Sequence, residues 1–83
     1  MNHITLTRFP AVSRRTSQSK STLYRKIKDK LFPPPIRLGT SSVAWIEHEV
    51  DVWLSAAASG KTPEELRAIV ASLVAARKFE GQA

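Results

Sequence analysis

Ser21, Arg25 and Lys28 stand at i, i+4 and i+7, so on a helix they line one side. A guanidinium on such a stripe reads guanine O6 and N7 bidentately in a DNA major groove, and the Ser21 and Thr22 hydroxyls reach a base edge or a phosphate. Lys20, Lys26 and Lys28 suit phosphates, which set affinity and register rather than sequence. The candidate contacts of this segment are therefore Ser19, Lys20, Ser21, Thr22, Tyr24, Arg25, Lys26 and Lys28. The plain alternative is a solvated helix face. Against it, the first thirty residues hold eight bases and a single acid, Asp29, and the stripe begins at a capping residue that follows a turn. Tyr24 is read equally as a phosphate contact and as packing beside Leu23.

Other chemistry is poorly supplied. Cysteine is absent, which removes disulfides and thiolate metal sites. His48 lies between Glu47 and Glu49, but adjacent residues on a helix diverge, and His3 is the only other histidine. Neither a metal site nor a cofactor is expected. No strained nucleophile turn accompanies the serines, so no catalytic residue is assigned and the chain is read as a non-enzyme. The start, MNHITLTRFP, lacks the apolar run of a signal peptide, and nothing approaches the roughly 18 apolar residues of a membrane helix. The formal net charge of +6 is concentrated in the first third, which suits a polyanionic partner.

The elements that must position the stripe follow from pattern. Residues 1–5 read as a frayed lead-in, and a short helix spans about Pro10 to Arg15, burying Val12. Thr16-Ser17-Gln18 is a turn. Ser19 caps a second helix running to about Lys30, with Leu23 and Ile27 turned inward. Pro33-Pro34-Pro35 stops it and favours an extended path. IRLGTSSVAWI then alternates as a hairpin, with Ile36 and Leu38 on one side, a turn at 39–42, and Val43 and Trp45 on one side. Val50, Trp53, Leu54 and Ala57 restore helical spacing, with Gly60 as the stop. Trp45 and Trp53 are read as core anchors.

A last helix opens on Thr62, Pro63 and Glu65, a capping box, and carries the apolar stripe Leu66, Ile69, Val70, Leu73 and Val74. Arg77 and Lys78 sit near its negative end. The predicted fold class is mainly α with a small β-hairpin: a winged helix-turn-helix plus an extra C-terminal helix. Residues 6–57 form the winged domain and 61–79 the added helix, which either packs on the core or joins copies. The wing contributes Arg37, Thr40, Ser41 and Ser42 as candidate contacts, with Arg8, Arg14 and Arg15 on the DNA backbone.

The run VSRRTSQSKSTLYRKIKDKLFPPPIRLGTSSVAWIEHEVDVWL resembles the AlpA-type phage regulatory proteins and small excisionases with MerR-like winged helix-turn-helix domains. The resemblance rests on Ser-Thr-Leu-Tyr-Arg (21–25), Phe32, Pro33 and Pro35, Leu38-Gly39, Trp45, and Glu49, Asp51, Trp53 and Leu54, within residues 6–55. Ser17 departs from the usual turn glycine, Gln18 from an apolar plug, and Ser41 or Ser42 from a wing arginine. The resemblance implies a DNA binder of a bacterial mobile element, cytoplasmic and nucleoid-associated. Its first implied role is excisionase, or recombination directionality factor, bending DNA beside an attachment site with other copies and an integrase. The alternative is an AlpA-type transcriptional regulator. A reading of another class is a protein-interaction module that does not touch DNA.

Overall fold

The protein is described from a computed structural model, which covers residues 4–77. The chain enters as a short strand, β1 (Leu6–Thr7), and turns into helix α1 (Phe9–Thr16) with Pro10 in its first turn, where a missing N–H leaves no bond unmade. Ser17 ends α1 in the left-handed conformation, at φ 58°. The Ser13 hydroxyl braces the turn by donating to the Gln18 carbonyl at 2.7 Å. Helix α2 (Lys20–Lys28) follows at once, and Ser19 caps it by accepting from the Thr22 amide.

The end of α2 is a Schellman turn. The Leu31 amide donates to the Lys26 carbonyl and the Lys30 amide to that of Ile27. The left-handed residue such a turn needs is Lys30, at φ 65°, where glycine would be easier. Helix α3 ends in the same way at Gly60, φ 82°, with Lys61 bonding back to Ala56 and Gly60 to Ala57.

Pro33, Pro34 and Pro35 offer carbonyls but no amides, so residues 33–35 cannot join a ladder through their own donors. Carbonyls of this joint, and of Leu31 just before it, are taken from three directions. The Trp53 indole donates to Leu31 at 2.7 Å, the Trp45 indole to Pro33 at 3.1 Å, and the Arg77 guanidinium to Pro34 at 2.7 Å. Both tryptophans are buried, and each is worth about 1.5–3 kcal/mol or more in apolar burial besides anchoring the joint.

The wing is a three-stranded antiparallel sheet in the order β1-β3-β2, with β2 at Ile36–Arg37 and β3 at Val43–Ile46. Ile36 faces Ala44 and Arg37 faces Val43. On the other side Leu6 faces Ile46 and Thr7 faces Trp45. Two expectations are corrected. Leu6–Thr7, given no element from sequence, form a strand, and Thr5, within the lead-in read as frayed, accepts from the Glu47 amide at 2.8 Å. Leu38 does not point inward with Ile36. It is 47% exposed, because β2 stops at Arg37 and the Leu38 and Gly39 amides turn toward the Ser42 carbonyl. Strand β3 is central, so Ala44, Trp45 and Ile46 are all buried and the period-two pattern disappears.

Helix α3 (Glu47–Ala58) buries Val50, Trp53 and Ala56, and α4 (Pro63–Ala75) folds back on it. The capping box of α4 is present: Thr62 Oγ1 accepts from the Glu65 amide and Glu65 accepts from the Thr62 amide. That amide holds the Glu65 carboxyl below the usual carboxylate range. One core joins all parts: Val12, Leu23, Phe32, Trp45, Val50, Trp53 and Val70, with Phe9, Ile27, Leu54 and Leu66 packed around it. The Phe32 and Trp53 rings meet edge to face at 4.8 Å. The architecture is a winged helix-turn-helix with an added C-terminal helix.

Candidate nucleic-acid interface

Burial of Leu23 and Ile27 against the core fixes the rotation of α2. At ~100° per residue this turns the opposite side outward. Ser21, Arg25 and Lys28 are exposed there, Tyr24 is exposed at its margin, and Lys20 is exposed in the first turn of α2, off that side. Thr22 is half-buried and accepts from the Ser19 hydroxyl at 3.0 Å, so the two share one capping network. Tyr24 keeps 37% of its surface open while its ring edge meets Trp45 at 6.1 Å. The ring packs on Trp45 while the residue stays partly exposed.

Not every candidate lies on that side. Lys26 is half-buried, with Nζ 5.9 Å from the Trp53 ring, where its stem covers the indole. Lys20 Nζ stands equally far, 5.9 Å, from the Phe9 ring and remains exposed. Arg15 is paired with Asp51 of α3 at 2.5 Å, which ties it to the helix behind the wing. Arg8 and Arg14 are exposed. On the wing, Arg37, Thr40 and Ser41 are exposed and Ser42 is half-buried.

The field over this surface is nearly unopposed. Among the described residues the ion pairs are Arg15–Asp51 and Arg77–Glu49, so the bases of the outward stripe and Arg37 have no carboxylate partner there. Free cations on a rigid, capped helix beside a pinned hairpin make a surface complementary to a polyanion. Nothing else gathers chemistry: His48 is exposed on α3, and among the described residues no three metal-ligating side chains converge. No helix of the described residues is long and apolar enough to cross a membrane.

The last helix is divided along its stripe. Val70 is buried and Leu66 packs on the core, Ile69 and Leu73 are half-buried, and Val74 is 39% exposed. Two charged residues hold it in place. Arg67 Nε donates to the Asp29 carbonyl at the end of α2, at 3.0 Å. Arg77 grips Glu49 with two bonds, Nε to Oε2 at 2.7 Å and Nη2 to Oε1 at 2.5 Å. Glu49, in the first turn of α3, is nearly sealed. The signal that would have found the pair is spacing: Arg77 lies seven residues after Val70, so the period of α4, carried just past its end at Ala75, brings it round toward the same side. Lys78 and Phe79, the end of the predicted helix, lie outside the described residues, as does His3.

Comparison with known proteins follows the winged part of the chain. The family model described as prophage CP4-57 regulatory protein (AlpA) matches residues 5–58. The uncharacterized protein ORF88 of Enterobacteria phage P4 is 37% identical over 54 residues, covering 65% of this chain and 61% of the phage protein. The DNA-binding transcriptional activator AlpA of Escherichia coli K12 is 38% identical over 58 residues, covering 63% of this chain and 83% of that protein. No solved structure matches. The α4 helix and its Arg77 clamp fall beyond the family match, while α2, the proline joint, the wing and Glu49 fall within it. The chain belongs to the AlpA family of phage regulatory proteins.

Proposed function

We propose that this chain is a sequence-specific, non-enzymatic DNA-binding regulator whose α2 enters the major groove while its wing rests on the adjacent backbone. The observation that carries the reading is the outward side of α2: Ser21, Arg25 and Lys28 exposed in one line, with no carboxylate partner among the described residues. Family membership supports it, as does a relative whose name describes a DNA-binding transcriptional activator. Arg25 reads a guanine, and Lys20 and Lys28 hold phosphates on either side. Arg37, Thr40 and Ser41 supply the wing's backbone contacts, and Arg8 and Arg14 extend the footprint. Lys26 and Arg15 contribute less, since one covers Trp53 and the other is bound to Asp51. Such a role places the chain in the bacterial cytoplasm, on the nucleoid.

Promoter regulation is the first role, because the named relative and the family description both point to it. Excision of a mobile element, with neighbouring copies and an integrase, is the second. It is favoured by one observation, the incompletely covered side of α4. Titration of labelled duplexes from the chain's own locus tests the binding. A cognate site is expected to bind roughly 10³-fold or more above random duplex, with affinity falling steeply as salt rises. Equal affinity for all duplexes refutes sequence readout. Footprinting then separates the roles: a single promoter footprint for regulation, a phased ladder beside an attachment junction for excision.

A further inference from the structure

We infer that the groove between the end of α2, the proline joint and α4 is a docking site for an acidic, amphipathic segment of a partner protein. The groove holds about 800 Å³, within the range of built ligand sites. Its floor is apolar: Ile27, Phe32, Pro34 and Val74, with Ala71 and Ala75 keeping the α4 wall low enough for a backbone to approach. Val74 is the large hydrophobic side chain of α4 left most open, and it lines this groove.

The rim decides what fits. Lys28, Lys30 and Arg67 stand around the floor, no carboxylate lines the groove, and none of the three has an ion-pair partner among the described residues. An apolar trough ringed by three unopposed cations complements a segment with apolar anchors at helical spacing and carboxylates beside them. A second copy is a poorer match, since each chain carries a net +6. The site is built by α4, beyond the family match, so it is an addition of this chain to the winged domain. Lys28 belongs to both surfaces, whereas Ser21 and Arg25 do not line the groove.

The test uses the full chain, isotope-labelled for amide NMR and without DNA, so its outcome is separate from that of the duplex titration. The probe is a synthetic helical peptide with leucines at i, i+3, i+4 and i+7 flanked by glutamates; a second peptide carries lysines in their place. The glutamate peptide is expected to shift the amides of Lys30, Ala71, Val74 and Ala75, and to bind at least roughly tenfold tighter than the lysine peptide. Ala71→Glu, on an exposed stretch of α4, weakens the glutamate peptide by a similar factor while thermal unfolding stays unchanged. Lys30→Glu weakens the glutamate peptide and strengthens the lysine peptide. Equal binding of both peptides, or shifts outside the groove, overturns the proposal. So does a dimer in sedimentation that Ala71→Glu dissolves, which makes a second copy the occupant. Binding seen only after removal of residues 78–83 assigns the groove to the chain's own end and overturns it as well.

Discussion

Replacing Arg77 by alanine removes three hydrogen bonds in one step: two to the Glu49 carboxylate and one to the Pro34 carbonyl. The Glu49 side chain is 4% exposed and that of Arg77 18%. Truncation therefore leaves a carboxylate in a low-dielectric site with no counter-charge, a loss of about 3–5 kcal/mol for a buried pair. The lower end applies if water follows into the space at the end of α4; the upper end applies if it does not, because among the described residues Pro34 has no other donor. For a domain of this size about 3 kcal/mol lowers Tm by roughly 12–24 °C. Urea unfolding followed by the fluorescence of buried Trp45 and Trp53 measures the change. The paired variant, Glu49→Met with Arg77→Met, is expected to recover most of the loss, since an apolar pair of similar volume carries no desolvation cost. A loss below about 1 kcal/mol for Arg77→Ala, or a double variant whose loss equals the sum of the singles, refutes the reasoning.

Arg25→Ala is expected to lower discrimination at one base pair by about 1–3 kcal/mol, read from competition between cognate and singly altered duplexes. An equal loss on every duplex places Arg25 on phosphate instead. Lys28→Ala weakens all duplexes alike and reduces the salt slope by about 1. The Gln18 Oε1 atom is buried without a hydrogen-bond partner, so Gln18→Leu is expected to raise stability by about 1–3 kcal/mol in urea unfolding. Ser17→Gly and Lys30→Gly each relieve the cost of about 1–2 kcal/mol of a left-handed backbone conformation at a residue with a Cβ, partly offset by the freedom glycine gains when unfolded, and the same urea unfolding reads the net gain. Because its folded-state pKa is lowered, Glu65 adds stability above the ordinary carboxylate pKa and loses it as pH falls through the lowered value. The Tm difference between wild type and Glu65→Gln is therefore expected to vanish in acid.

Local chemistry was legible wherever a residue acts within a few positions of its own. Ser19, Thr62 with Glu65, and Gly60 set helix ends through bonds to nearby backbone and appear where sequence puts them, while Pro10, which suits a helix start because it lacks an N–H, falls one residue inside an α1 that begins at Phe9. The inward pair Leu23 and Ile27 also fixed which side of α2 faces out, since a helix leaves no freedom once one face is buried. The third strand was not legible, because Leu6–Thr7 is too short to carry a period and takes its partner from residues 45–46. The same pairing erased the alternation in β3 and, with the early end of β2, left Leu38 outside.

Sequence alone determined the order of the helices and the hairpin, the caps that bound them and the basic stripe they display, because each depends on spacings shorter than one or two helical turns. Only the tertiary structure decided that Glu49 is buried on Arg77, that two indoles and a guanidinium hold the carbonyls of Leu31, Pro33 and Pro34, and that α4 closes the core at Val70 while leaving a basic-rimmed groove. Those partners are 12 to 43 residues apart along the chain. A side chain's pattern states what it needs, but which distant group supplies it depends on how the whole chain closes.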